Sequence, residues 1–262
     1  MKNCVYTLPC KPGSIYINLG NDCLNDCRFC VKRYGSFFGY DLSVDRSSDI
    51  LKIVQKGLED IKTLCDKPKE IVICGIGEPF LHYDEVIQSS NICRKLFGSN
   101  TAIRVDTSGL WWQKNQNLSF LDYITSLSVS LNAETEEVYN RICQPRIPNA
   151  YRTLRCFLEE LVKEREKRAS QELNFPEVRL TVVDTSQKEF MPPKRNTDLN
   201  EDCPVPDFTL CQIIADSLRF PLIIKKLFRD VHKSCWIPRE IEEKTLNGEY
   251  LEKCLNCKHR HI

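Results

Sequence analysis

Cys23, Cys27 and Cys30 stand as C-x3-C-x2-C in a short polar stretch directly after the apolar run Ile15–Leu19. Zinc sites normally pair their cysteines two to four residues apart and take a fourth ligand, often from a second pair further on. Here a third thiol follows at once, and neither His nor Cys recurs before Cys65. The spacing can bring three thiolates to one face of a [4Fe–4S] cluster and leave the fourth iron without a protein ligand. Clusters held by four cysteines are closed and mostly carry electrons. A three-cysteine cluster keeps a reactive corner, by the logic that separates open catalytic metal sites from closed structural ones. A zinc knuckle, or three thiols among many, is the competing reading.

Other chemistry-bearing residues follow strand-like runs further along. Gly75-Ile76-Gly77-Glu78-Pro79 comes after Glu70–Cys74. Glycines suit a backbone that must approach a ligand closely, and a carboxylate suits an ammonium; the same residues also make an ordinary turn between a strand and a helix. Asp106-Thr107-Ser108-Gly109 and Ser130-Leu131-Asn132 close two later runs. Hydroxyls and amides there can hydrogen-bond a ribose or a carboxylate, or simply cap helices. Near the end stand Cys235, then Cys254 and Cys257 as a CxxC pair, then His259 and His261. They read as a second metal site (zinc, or an auxiliary iron–sulfur cluster) or as unpaired thiols.

The elements that must position these groups alternate in type. Short β-rich runs at Ile15–Leu19, Glu70–Cys74, Ala102–Asp106, Leu127–Leu131, Val178–Val183 and Leu222–Leu227 are separated by amphipathic stretches at Asp45–Cys65, Asp84–Phe97, Thr135–Arg141, Ala150–Lys167 and Asp207–Leu218. This βαβ pattern predicts an α/β fold with a parallel sheet. Right-handed crossovers would curl the six units into an open barrel, with ligands at the carboxyl ends of the strands. Thr185–Pro206, polar and Pro-containing, reads as an insertion loop or lid. The expected division is a core over residues 1–230 with a cysteine-containing extension over 231–262.

Composition points to a soluble intracellular protein. The chain has 262 residues, 42% of them apolar and 28% charged, enough to bury one sizeable core. A net charge of +1 gives no electrostatic case for a nucleic-acid or membrane partner. Fifteen cysteines are an odd count, and Met1–Cys10 shows no apolar leader, so reduced thiols and metal ligation are expected over a disulfide framework. No apolar run approaches the eighteen or more residues of a membrane span.

With the aromatic Phe29 before the third cysteine, the triad matches the CxxxCxΦC signature, and the chain resembles the radical S-adenosylmethionine (SAM) superfamily. Gly75–Pro79 is similar to that superfamily's GGE(P) motif, with Ile76 in place of the second glycine. The resemblance implies a partial (β/α)6 TIM-like barrel, a [4Fe–4S] cluster on Cys23, Cys27 and Cys30, and SAM held by Phe29, Gly75, Gly77, Glu78, Asp106, Thr107, Ser108, Ser130 and Asn132. Glu78 would fix the methionine amino group and Phe29 would pack near adenine. An external electron donor such as flavodoxin or ferredoxin is implied, as is an oxygen-sensitive, cytoplasmic enzyme.

The ordered set Ile15–Gly20, the cysteine loop, Val72–Pro79, Val129–Asn132, Tyr139–Pro145 and Leu180–Asp184 further resembles the TatD-associated radical SAM proteins, a group linked to TatD-type hydrolases. Within it, Arg141, Cys143 and Pro145 match the pattern without an assignable role. Alternatives are a glycyl-radical-activating or 7-carboxy-7-deazaguanine-synthase-like radical SAM enzyme, and a non-catalytic zinc scaffold or nucleic-acid adaptor.

Overall fold

The computed structural model describes residues 4–8, 11–34, 41–188, 191 and 202–227, with only the backbone of Tyr34. One seven-stranded sheet runs in sequence order: β1 (Val5–Thr7), β2 (Ser14–Ile17), β3 (Glu70–Ile73), β4 (Ile103–Thr107), β5 (Ser126–Ser130), β6 (Glu177–Asp184) and β7 (Leu222–Lys226). Strands β2 to β7 are mutually parallel, as the alternating pattern predicts. The antiparallel β1, with Val5 against Ile17, has no counterpart among the six expected strands. It is three residues long, too short to show a period of two.

Among the described residues five α-helices connect them: α1 (Ile50–Lys62), α2 (Tyr83–Phe97), α3 (Glu136–Cys143), α4 (Ala150–Ser170) and α5 (Phe208–Leu218). In α1 the buried residues are Ile50, Val54 and Leu58, one stripe at a spacing of four. Its start is fixed by Asp49, whose carboxylate accepts from the Lys52 amide, as Thr135 and Asp207 do for α3 and α5. The β4–β5 connection contains 3-10 turns at Leu110–Gln113 and Ser119–Tyr123 and no α-helix.

Alternation along the strands gives the sheet two unlike faces. Ile15, Ile17, Ile71, Ile73, Ile103, Val105, Leu127, Val129, Leu180 and Val182 enter the main core with the helices. On the opposite face, Tyr6, Leu8, Tyr16, Leu42 and Val72 form a separate apolar cluster over β1–β3. The β4–β7 half of that face is polar: Arg104 pairs with Glu70 at 3.1 Å and with Asp106, while Lys225 Nζ lies 3.9 Å from Asp106 Oδ2. In a flat sheet, β4 and β7 would be about 14 Å apart with side chains standing perpendicular to the plane. The Lys225–Asp106 contact therefore shows the sheet curling around this face.

The two ends of the expected insertion lie together, since Thr185 Oγ1 donates to the Pro204 carbonyl at 2.6 Å and Lys188 pairs with Asp202 at 2.7 Å. Cys235, Cys254, Cys257, His259 and His261, and with them the proposed 231–262 extension, lie outside the described residues. Among the described residues no helix is long and apolar enough to cross a membrane.

Candidate active site

The cysteine loop leaves the carboxyl end of β2 and ends in a 3-10 turn at Val31–Tyr34. Cys30 N donates to Cys27 O and Arg33 N to Cys30 O, each at 3.0 Å, which coils the loop. All three cysteines are partly exposed. Burial, then the neighbouring Glu78 and Cys27, push the Cys23 thiol up to about 12. Burial and Cys27 raise Cys30, and a side-chain bond to Cys143, followed by burial, raises Cys27. The unliganded thiols are thus protonated near neutral pH, and ligation must release their protons.

Among the described residues no three His, Cys, Asp or Glu side chains gather as one ion would require. Three cysteine thiols on one loop are the type of donor that iron–sulfur clusters take.

The loop is framed from a distance. The segment ending α3 runs alongside it: Asp26 N donates to Cys143 O at 3.0 Å and to Gln144 O at 3.2 Å, Arg28 N to Ile142 O at 2.9 Å, and Arg146 N to Leu24 O at 2.8 Å. Arg33 adds bonds from its guanidinium to Asp26 O at 2.7 Å and Gln144 Oε1 at 2.8 Å. Asn25 Nδ2 donates to the buried Tyr139 hydroxyl at 3.0 Å. Tyr139–Pro145, conspicuous in the sequence but without a role there, is this frame.

The Gly75–Pro79 turn passes beneath the loop. Glu78 N donates to Asp22 O at 2.7 Å. A Cβ on Gly77 would lie 2.3 Å from Gly20 O, and one on Gly75, whose φ is +137°, 2.3 Å from Asn18 Oδ1. Both glycines are explained by the chain's own packing. Gly77→Ala, which confronts backbone and cannot be relieved by a rotamer, is expected to destabilise the protein by on the order of 1–3 kcal/mol and to reduce iron retention. Thermal denaturation and iron analysis check this; an unchanged midpoint with full iron would show that the two turns need not touch.

Glu78 is 2% exposed, and its carboxylate accepts four bonds. Oε1 takes Thr107 Oγ1 at 2.7 Å and Phe80 N at 3.2 Å, while Oε2 takes Ser108 Oγ at 2.6 Å and Ser108 N at 2.8 Å. Thr107, Ser108 and Glu78, read separately in the sequence, are one bonded unit. The hydroxyl protons of Thr107 and Ser108 are spent on the acid. Every donor is neutral, and Glu78 has no ion pair among the described residues; burial pushes its carboxyl above the usual range against the pull of these bonds.

The remaining predicted positions differ in freedom. Asp106 faces the helix-free side and is engaged by Arg104 and Lys225. Phe29 is half-buried against the main core. Ser130 ends β5 half-exposed, and Asn132 beyond it holds φ +60°. The Asn132 side-chain oxygen and the Ser128 hydroxyl are buried without a partner, as is the Asn25 side-chain oxygen in the cysteine loop. A buried polar group without a partner is one that a bound polar ligand can satisfy.

The pattern of the family described as Radical SAM superfamily matches residues 17–165, more than half of the 262-residue chain. The chain belongs to the radical SAM superfamily. Membership implies a [4Fe–4S] cluster and SAM, and the matched span holds the cysteine loop, the Gly75–Glu78 turn and the ends of β4 and β5. The chain is similar to the dual-specificity RNA methyltransferase RlmN of Alcanivorax borkumensis, 28% identical over 136 residues that make up 50% of this chain and 35% of that protein. It is also similar to a probable RNA methyltransferase of Rhodopseudomonas palustris, 31% identical over 123 residues, 46% of this chain and 31% of that one. The aligned part thus spans about a third of these curated relatives. A crystal structure of a radical SAM methyltransferase from Sphaerobacter thermophilus aligns with a TM-score of 0.46 at 16% identity, covering 85% of this chain and 68% of that one.

Proposed function

We propose that this radical SAM protein binds a [4Fe–4S] cluster through Cys23, Cys27 and Cys30, binds SAM along the carboxyl ends of β2–β5, and cleaves it reductively to start radical chemistry on an unassigned substrate. The observation that carries this reading is the buried Glu78 carboxylate beside Cys23, held by neutral donors with no cation paired to it among the described residues. An uncompensated buried anion is costly, and an ammonium brought to it removes the cost. SAM carries such a group. A [4Fe–4S] cluster held by Cys23, Cys27 and Cys30 would supply the one electron that reductive cleavage of bound SAM to methionine and a 5′-deoxyadenosyl radical requires.

The chain's part is positional. Thr107 and Ser108 hold Glu78 in place, and Gly75 and Gly77 let the turn seat under the cysteine loop. Ser130 and Asn132 offer polar groups to the ribose or carboxylate, Phe29 an apolar surface to adenine, and Asp106 lies on the helix-free face with Arg104 and Lys225. The electron comes from an external donor of the flavodoxin or ferredoxin type. The ordered motifs from Ile15 to Asp184 support placing the chain among the TatD-associated members.

The test is anaerobic incubation of the full chain, loaded with iron and sulfide, with SAM and dithionite. Slow formation of 5′-deoxyadenosine is expected without any further substrate. Protein that holds its cluster and binds SAM yet forms none would overturn the reading.

The names of the curated relatives favour a second reading, methyl transfer to RNA. Against it stand the net charge of +1 and an alignment confined to half of this chain. Methyl-labelled SAM offered with bulk RNA decides between them: label in RNA establishes methylation, and its absence under conditions that yield deoxyadenosine removes it.

A further inference from the structure

Cys143 is fully buried at the end of α3, and the backbone bonds from Asp26 and Arg28 to Cys143 and Ile142 set it directly against Cys27, which lies between those two loop residues. Cys143 is the neighbour that does most to raise the Cys27 thiol. The Asn132 amide donates to Cys143 Sγ at 3.5 Å, from a residue held at φ +60°. A thiol has one proton and can both donate and accept weakly. With Asn132 donating into the Cys143 sulfur, the Cys143 proton is left to point elsewhere. Unliganded, Cys27 has a proton of its own to share. As a metal ligand it is a thiolate and can only accept.

We propose that Cys143 is the outer hydrogen-bond donor of the cluster: its S–H, backed by the Asn132 amide, bonds the Cys27 sulfur and raises the reduction potential of the cluster bound there. The inference rests on Cys23, Cys27 and Cys30 being the ligands, and Cys143 is a positioning residue, not a fourth ligand. One-electron reduction adds negative charge that spreads onto the ligand sulfurs, so a donor at one of them stabilises the reduced form more than the oxidised. Hydrogen bonds to the sulfurs are among the levers that set such potentials.

The experiment compares Cys143→Ala, which removes the donor, with Cys143→Ser, which retains an O–H, by iron analysis and by redox titration followed by the signal of the reduced cluster. All three proteins are expected to hold about four irons. The Ala variant should show a several-fold lower reduced fraction at a fixed potential, where tenfold corresponds to 59 mV for one electron. The Ser variant should stay near the unmodified protein. Should Ala fail to assemble a cluster, Cys143→Val, closer in volume and equally without a donor, replaces it. An unchanged potential in a four-iron Ala or Val variant overturns the proposal. So does loss of iron in Ala, Val and Ser alike, which would make Cys143 a ligand or a strut. Loss of the cluster only on changing Cys23, Cys27 or Cys30 leaves the ligand reading intact whichever way the potential moves.

Discussion

Replacing Cys23, Cys27 and Cys30 together by alanine is expected to take the iron content of anaerobically reconstituted protein from about four per chain to near zero. The tail thiols Cys235, Cys254 and Cys257 are removed in the same variant, so that no second metal stands in for the first. The fold should survive, because the loop is fastened to the Ile142–Arg146 segment mainly through backbone groups that the substitutions leave in place. Unchanged far-ultraviolet circular dichroism beside lost iron is the expected pair of results. A full cluster spectrum in the folded variant would end the assignment of these ligands, and with it the proposed reaction.

Glu78→Ala is expected to act on two quantities at once. It strands the Thr107 hydroxyl, both Ser108 donors and the Phe80 amide in a buried place, a loss on the order of 3 kcal/mol. At roughly 2–4 °C per kcal/mol for a chain of this size, the melting point should fall by about 6–12 °C. If the acid also balances the SAM ammonium, affinity for SAM falls ten- to a hundredfold, the value of a charge-assisted bond of about 1.5–3 kcal/mol. Iron content should stay at about four. Calorimetry of SAM binding alongside a thermal melt separates the two roles, and a lower melting point with unaltered affinity would confine Glu78 to holding its turn.

Much of this was legible in the residues. The six parallel strands and five helices follow from hydrophobic spacing: Thr135 and Asp207, which open two of the expected stretches, are the caps of α3 and α5, whereas α1 starts at Ile50, five residues after the expected Asp45. The positions expected to handle SAM fall on or beside the strand ends, except Phe29, which lies in the cysteine loop. What could not be read is how they use one another. That Thr107 and Ser108 spend their donors on Glu78 depends on the placement of β3 beside β4, not on either motif alone. The clasp between Leu24–Arg28 and Ile142–Arg146 is made of backbone N–H and C=O groups, which every sequence carries, so no residue type betrays it. The contact of Lys225 with Asp106 depends on curvature, which alternation of polar and apolar residues does not encode.

That clasp also orders events during synthesis. The cysteine loop is made early, whereas its partner segment comes much later, Leu24 and Ile142 being 118 positions apart. At about 5–20 residues per second, roughly 6–24 s separate the translation of the two. Throughout that interval the nascent chain carries the triad without the frame that shapes it. On the proposed ligand assignment, iron–sulfur loading is expected to wait until α3 has been translated and has docked, and a fragment ending before Glu136 is expected to carry the three cysteines without the segment that frames them.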